Sequence, residues 1–322
     1  MKRDYSIDVL KCLAALIITW SHFEKPLGEY SYLATGGAFG DALFFFCSGY
    51  TLFLGRKTNG FFNWYKNRIN RIYPTVFAWA LLKCLLISGT STNMLDIIIS
   101  GGGFFVSCIM IFYVFFYFIK KYAINHLYKV LIVSTILTSC SYFLLDSNIP
   151  SLMYKWQWSL FFSVMLLGGI IGKVSKDKET KEIKPLGCIP IFLLGFSIII
   201  YYLLMFVEQR FGVQMIRMFT IFPLMSFAYA LHKLCSGKIA YKIYNNKYSH
   251  LFLMTIGSLC LEIYLVQSIL LTDAFNYLFP LNLILMYLII FVAAYLLRCV
   301  SRIWLQTFKD ADYDWKAIYK FY

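Results

Sequence analysis

Long apolar runs alternate with short polar segments along almost the whole chain. A helix needs roughly 20 residues, mostly apolar, to cross a hydrocarbon layer about 30 Å thick, and most of these runs approach that length. We therefore predict an all-α, polytopic integral membrane protein with about ten transmembrane helices. The predicted helices lie near residues 7–22, 39–54, 72–87, 102–119, 127–145, 157–171, 189–207, 218–234, 251–271 and 281–297.

The lysine and arginine residues fall mainly in every second polar segment. Cytoplasmic loops of membrane proteins collect these residues, and with the amino terminus inside, 24 of the 30 lie on the cytoplasmic side. A missed helix would have scrambled this alternation, so we predict that both termini are cytoplasmic. The exceptions are Lys25, Lys155, Arg210 and Arg217 in outer segments, and Lys11 and Lys83 within helices.

Composition supports the same class of protein. Of the 322 residues, 60 % are hydrophobic and 14 % are charged, which is too apolar for one soluble core. Membrane topology accounts for the net charge of +14, so we expect membrane lipid and no nucleic acid as a partner. The nine cysteines form no C-x-x-C pair, and we expect neither a disulfide framework nor a metal.

The chain is predicted to form one transmembrane domain over residues 1–308. The apolar run after Met1, Lys2 and Arg3 is followed by no signal-peptide cleavage site, so we expect it to stay as the first helix. Residues 309–322 mix charged and aromatic side chains, which is typical of a cytoplasmic or interfacial tail.

Ionisable residues inside predicted helices are the first candidates for function, because they are costly in a membrane. His22 ends the first helix and Asp41 begins the second, both on the outer side, where a carboxylate could orient a basic imidazole. Alternatively, water satisfies an interfacial His22, and Asp41 lies at a positive helix end. Glu262 is predicted at mid-bilayer depth and needs a partner, a proton or a wet cavity; Lys11 is a possible partner.

A basic segment precedes the third predicted helix. Arg68 and Arg71 have the i, i+3 spacing that puts two side chains on one helical face, and Pro74 suits the first turn of the helix that follows. Two guanidinium groups with Lys66 nearby could clamp a phosphate. The alternative is ordinary anchoring of cytoplasmic cations at lipid headgroups.

Four motifs together resemble the acyltransferase family 3 membrane proteins, which O-acylate bacterial surface polysaccharides and related glycoconjugates. They are Asp8-Val9-Leu10-Lys11 through His22, Gly40-Asp41 through Ser48-Gly49, Arg68-x-x-Arg71 before Pro74, and Gly257-Ser258 through Glu262 and Tyr264 to Gln267. The order spans nearly the whole chain. Two positions depart from the family pattern, because Lys11 stands where the family usually has Arg and Gln267 stands where many members have His.

The resemblance implies a membrane O-acyltransferase of the bacterial inner (cytoplasmic) membrane. Its donor would be acetyl-CoA or another acyl-CoA from the cytoplasm, and its acceptor a hydroxyl of a surface glycan or a lipid-linked precursor. The resemblance implies that His22 and Asp41 are the catalytic residues. The residues implied to bind the donor are Arg68, Arg71, Lys66 and Lys11, and those implied to bind the acceptor are Ser48, Glu262, Tyr264 and Gln267.

Two other polytopic classes compete with this function. A transporter or flippase of lipid-linked glycans would also carry intramembrane charges, but such proteins often have paired repeats with broken helices, and the sequence shows none. A glycan polymerase would be expected to have a long outer loop, whereas the predicted outer loops are short.

Overall fold

The computed structural model describes residues 4–55, 60–86, 103–143, 158–177, 187–308 and 311–322, and within them every regular element is helical. The predicted all-α class is therefore confirmed. The α-helices are α1 (Tyr5–Trp20), α2 (Glu24–Leu27), α3 (Gly37–Leu54), α4 (Phe61–Leu86), α5 (Gly103–Tyr122), α6 (Leu127–Phe143), α7 (Phe161–Asp177), α8 (Cys188–Phe211), α9 (Ile221–Cys235), α10 (Lys238–Asn245), α11 (Lys247–Ser258), α12 (Cys260–Leu270), α13 (Leu281–Thr307) and α14 (Trp315–Ile318). Short 3₁₀ turns are Gly28–Leu33, Ile124–His126, Trp158–Leu160, Gln214–Thr220 and Asn276–Leu278.

Six of the described helices are long and apolar enough to cross a membrane: α3, α5, α8, α13, and α7 and α9 with the turns that precede them. Two bent pairs raise the number to eight if each pair is one span. The chain is thus a multi-pass membrane protein, while the count of ten spans and the sides of the termini stay predictions. Nine cations that entered the charge count lie outside the described residues, as do several predicted span ends: Lys2, Arg3, Arg56, Lys57, Lys155, Lys178, Lys181, Lys184 and Lys309.

The helix α4 differs from its prediction at Pro74. The sequence placed Pro74 in the first turn of a span, but α4 begins at Phe61 and continues through the proline. A proline inside a helix deprives the carbonyl four residues earlier of its donor. That residue, Asn70, is exposed, so water or headgroups can satisfy its carbonyl. The basic segment and the apolar segment consequently form one helix.

The predicted helix at 251–271 is two helices. The axes of α11 and α12 differ by 73° across Leu259, and the segments Tyr5–Trp20 and Glu24–Leu33 bend by 63°. Each bent pair is a broken span or a re-entrant loop, and neither bend was predicted from the sequence. A Gly-Ser pair, Gly257-Ser258, lies at the α11 end, and such pairs are common causes of sharp kinks.

The chain divides into two compact units, of which the first comprises Met1–Ala14, Ala38–Lys57 and Phe115–Leu251. Its closest helix packing joins α3 to α7. A Cβ added at Gly49 would lie 1.8 Å from the Met165 carbonyl oxygen, and one at Gly168 would lie 2.1 Å from the Phe46 carbonyl oxygen. Small residues permit such backbone approach between membrane helices, so the Ser48-Gly49 motif has a packing role at Gly49.

The second unit comprises Ala15–Gly37, Thr58–Val114 and Phe252–Tyr322. Here α13 packs against α4 and α12, and a buried hydrogen bond of 3.1 Å joins the hydroxyl groups of Thr75 and Ser301. The tail returns to α13, since the Arg302 guanidinium donates to the Ile318 carbonyl at 2.9 Å and Tyr295 donates to the Tyr319 carbonyl at 2.8 Å.

Candidate active site

The second unit contains a cavity of about 460 Å³ beside the turn that ends α1. Three residues predicted to act in the site, His22, Tyr264 and Gln267, line this cavity together. Its complete lining is His22, Glu24, Lys25, Trp79, Lys83, Gly103, Tyr264, Leu265, Gln267, Ser268 and Leu271. The volume falls in the range typical of small-molecule sites.

The His22 side chain is exposed at a turn whose neighbouring residues are anchored. Phe23 is fully buried, with its ring centroid 4.7 Å from that of Tyr287. The Trp20 indole donates to the Leu33 carbonyl at 2.8 Å, and the Ser21 hydroxyl donates to the Ile18 carbonyl at 2.8 Å. A rigid turn thus presents an imidazole that is accessible to a ligand.

An asparagine pair holds the segment that follows His22. The Asn282 amide donates to the Pro26 carbonyl at 2.7 Å and to the Asn276 side-chain oxygen at 3.0 Å. Asn276 in turn donates to the Lys25 carbonyl at 2.9 Å. Asn282 is fully buried, so this network fixes the backbone that carries Lys25. Neither asparagine was predicted from the sequence, because single amides near a loop carry no spacing signal.

Gln267 is a buried polar residue with an unused acceptor. Its side chain is 2 % exposed, and its amide oxygen has no hydrogen-bond partner among the described residues. Buried polar atoms are nearly always paired, which points to a ligand or water at this position. Nearby, a Cβ added at Gly103 would lie 2.5 Å from the Tyr264 hydroxyl. Gly103 also has a φ of +68°, so a side chain is disfavoured there both by conformation and by space.

Glu262 forms a two-armed ion pair that the sequence did not predict. Arg298 Nε lies 3.1 Å from one carboxylate oxygen, and Nη2 lies 3.0 Å from the other. The same guanidinium donates to the Ser258 hydroxyl at 2.6 Å and to the Ser258 carbonyl. The partner of Glu262 is thus Arg298 and not the suggested Lys11. Arg298 was grouped with the cytoplasmic cations because it directly follows the predicted tenth run.

This ion pair lies where the α11–α12 helix is broken. The end of a helix leaves carbonyl groups without intrahelical donors, and Arg298 satisfies one of them at Ser258. Glu262 lies in the first turn of α12, where the helix dipole favours a negative charge. The arrangement fixes the start of α12, the helix that carries Tyr264 and Gln267 into the cavity.

The basic segment of α4 provides a partly sheltered arginine next to exposed cations. The Arg68 guanidinium carbon lies 5.1 Å from the Trp64 ring centroid and 5.7 Å from that of Tyr113. Its Nε is buried without a hydrogen-bond partner among the described residues, whereas Lys66 and Arg71 are exposed. Cation–π contacts with aromatic rings orient a guanidinium, which suits the recognition of an anionic group.

The remaining predicted site residues, Asp41, Ser48 and Lys11, belong to the first unit. Asp41 and Ser48 are half-buried on α3, and Lys11 is half-buried on α1. Their predicted roles stay predictions. In the same unit Asp8, from the first motif, is buried and accepts a hydrogen bond of 3.2 Å from the Tyr244 hydroxyl.

Comparisons with known proteins give one match. A family described as an acyltransferase domain matches residues 4–301 of the 322 residues. Among curated proteins none matches the chain, and none of the solved structures does either.

Proposed function

Because the chain belongs to acyltransferase family 3, whose match covers nearly its whole length, we propose that it transfers an acyl group, most simply acetyl, from cytoplasmic acyl-CoA to a glycan hydroxyl. The acceptor is a surface glycan or its lipid-linked precursor. The location is the bacterial cytoplasmic membrane. The family match supports a membrane acyltransferase, while the donor, acceptor and location are parts of this proposal.

One observation carries the assignment of the site. An accessible imidazole, His22, shares a sugar-sized cavity with two hydrogen-bonding side chains, Tyr264 and Gln267. A general base has to reach the hydroxyl whose proton it removes, and the cavity offers both the base and polar groups that can orient that hydroxyl.

The proposed chemistry conserves atoms and protons. A ring nitrogen of His22 takes the proton of the sugar hydroxyl while its oxygen attacks the thioester carbon. The Tyr264 hydroxyl or the Gln267 amide N–H groups donate to the oxyanion that develops on the thioester oxygen. As the tetrahedral intermediate collapses, the carbon–sulfur bond breaks, the departing sulfur receives the proton from His22, and the products are an O-acyl sugar and free CoA.

The donor is proposed to bind through α4. Arg68, Arg71 and Lys66 are positioned on one helix, and the Arg68 guanidinium lies close to the rings of Trp64 and Tyr113. Phosphates are bound well by two-armed guanidinium groups, and the phosphates of CoA fit this set. Lys83 of the cavity lies fifteen residues further along the same helix, about 22 Å away for a straight helix, a distance that a pantetheine arm can largely cover.

One feature is shared with the transporter alternative, because two helix pairs among the described residues are sharply bent, as broken spans or as re-entrant loops. Broken helices occur in transporters, so they do not by themselves exclude that class. The family match nevertheless favours acyl transfer. Incubating purified protein with labelled acetyl-CoA distinguishes an acyltransferase from a flippase. An acyltransferase binds acetyl-CoA and slowly hydrolyses the thioester, whereas a flippase does neither.

The experiment that tests the proposed function compares the O-acetylation of the surface glycan in cells with and without the gene. Mass spectrometry or NMR of the purified glycan should show acetyl esters that disappear with the gene and return with the wild-type copy. An unchanged acetylation pattern, together with no binding of labelled acetyl-CoA by purified protein, would contradict the proposal.

A further inference from the structure

The cavity beside His22 carries two cations that have no acidic partner among the described residues. Lys25 lies on α2 and Lys83 on α4, and both line the cavity. Ion pairs elsewhere in the described residues include Arg217 with Glu208 and Arg298 with Glu262. Glu24 is the one acidic residue in the lining, so the cavity has an excess of positive charge.

These lysines are exceptions to the charge distribution of the chain. Four cations lie in predicted outer segments and two in predicted helices, whereas the other 24 of 30 follow the cytoplasmic rule. Headgroup anchoring on the cytoplasmic side therefore does not account for Lys25 and Lys83. An ionisable residue within a membrane-spanning segment is a candidate for function, and Lys83 lies in the predicted third helix.

The lining of the cavity also includes a buried hydrogen-bond acceptor. The Gln267 side-chain oxygen is buried without a partner among the described residues, and an acceptor left unpaired in this way costs free energy until a donor arrives. A sugar hydroxyl is such a donor. A ligand that suits both the lysines and Gln267 bears hydroxyl groups and a negative charge.

We propose that the acceptor is an anionic sugar, whose phosphate or carboxylate binds Lys25 and Lys83 while one of its hydroxyl groups donates to Gln267. This inference deepens the proposed function and rests on it. A phosphate would come from a lipid-linked or phosphodiester glycan, and a carboxylate from a uronic acid. Both sources supply an anionic group that lies within the length of one sugar from the hydroxyl group at His22.

The donor is the competing ligand for the two lysines, since CoA also carries phosphates. Arg68 and Lys83 lie fifteen residues apart on α4, about 22 Å along a straight helix. One compact phosphate group therefore does not reach both positions, and the arginine segment is already suited to the CoA phosphates. This separation leaves the lysines for the acceptor.

A protection experiment tests the inference without requiring turnover. Diethyl pyrocarbonate modifies accessible histidines, and mass spectrometry of the full-length protein's peptides quantifies the modification of His22 in the presence of glucose, glucose 1-phosphate or glucuronic acid. Glucose 1-phosphate, glucuronic acid or both should protect His22 at concentrations about tenfold lower than glucose, the factor expected from one hydrogen bond to a charged group. Protection by the phosphate alone or by the carboxylate alone identifies the source of the anion.

Matched variants complete the test. Lys25→Gln and Lys83→Gln should each reduce the advantage of the anionic sugars, whereas Lys129→Gln, at an exposed lysine of α6, should leave it unchanged. Equal protection by glucose and by both anionic sugars would overturn the inference, as would CoA protection that depends on Lys83 while sugar protection does not. Because modification requires no acyl transfer, failure here is distinct from failure of the proposed function, which the acetylation of the glycan reports.

Discussion

Arg298 places two arms of its guanidinium group on the Glu262 carboxylate, at 3.1 and 3.0 Å, across the break between α11 and α12. Both side chains are largely buried, with exposures of 11 % and 7 %. The pair thus ties α13 to the first turn of the helix that carries Tyr264 and Gln267. It connects the packing of the second unit to the geometry of the cavity.

Arg298→Ala is expected to destabilise the protein strongly. Removing one member of a buried ion pair leaves the other charge without compensation, which typically costs about 3 to 5 kcal/mol in the free energy of unfolding. Thermal unfolding in detergent should show a clearly lower midpoint for this variant, and Arg298→Lys should fall between it and the wild type because it keeps the charge and loses the fork. Arg210→Ala, at an exposed arginine, serves as the control; equal midpoints for all three variants would contradict the role of the pair.

Gly49→Ala should disrupt the packing of α3 on α7. The added methyl group would lie 1.8 Å from the Met165 carbonyl oxygen, and two backbones must separate to admit it. Overpacking of this kind typically costs 1 to 3 kcal/mol or more. The matched control is Gly195→Ala on α8, where an added Cβ meets nothing within 4 Å. The yield of monodisperse protein and its unfolding midpoint should fall for the first variant only, and a loss of equal size in both would show that helix packing is not the reason.

Substitution of the α4 arginines should weaken donor binding. Arg68→Ala and Arg71→Ala are each expected to raise the dissociation constant for acetyl-CoA by about tenfold or more, because a charge-assisted hydrogen bond is worth about 1.5 to 3 kcal/mol. Arg68→Lys and Arg71→Lys should restore little of the affinity for acetyl-CoA, since a point charge does not reproduce the two-armed contact. Isothermal titration or equilibrium dialysis with labelled acetyl-CoA measures this directly. If both alanine variants bind the donor as the wild type does, these arginines anchor the protein at lipid headgroups.

The predicted topology can be tested independently of the chemistry. Reporter fusions after residue 184 and at the carboxyl terminus should both report a cytoplasmic location, because the lysine and arginine alternation places them there. The first fusion point lies outside the described residues, so the measurement adds information that the structure does not contain. A periplasmic signal from either fusion would contradict the arrangement of ten helices.

The sequence predicted the helical class and several members of the site for a clear reason. Apolar runs determine where helices form in a membrane, and ionisable or polar residues in such runs stand out because they are rare there. His22, Tyr264 and Gln267 were chosen in this way or by family resemblance, and the structure brings all three to one cavity. Asp41 and Ser48 lie in the other unit, and their roles stay predictions.

The features that the sequence did not predict depend on contacts between distant segments. The α11–α12 break follows an ordinary Gly-Ser pair, and only the position of Arg298, about 40 residues away, shows how the break is stabilised. The support that Asn276 and Asn282 give to the Lys25 backbone is likewise a tertiary contact. Pro74 was misplaced because proline usually begins helices, whereas here a helix continues through it.

Acetyl transfer by His22→Ala shows whether His22 is the general base. Purified wild-type, His22→Ala and His126→Ala proteins are incubated with labelled acetyl-CoA and the host's surface glycan, and His126 serves as the control because it is exposed in a 3₁₀ turn of the first unit. We predict that His22→Ala binds acetyl-CoA normally while its transfer rate falls by about 10² to 10⁴-fold, the usual contribution of a general base, and that His126→Ala transfers normally. The wild-type rate should also rise from acidic to neutral pH, because only the neutral imidazole accepts a proton. A His22→Ala protein that acetylates the glycan at the wild-type rate would contradict the account.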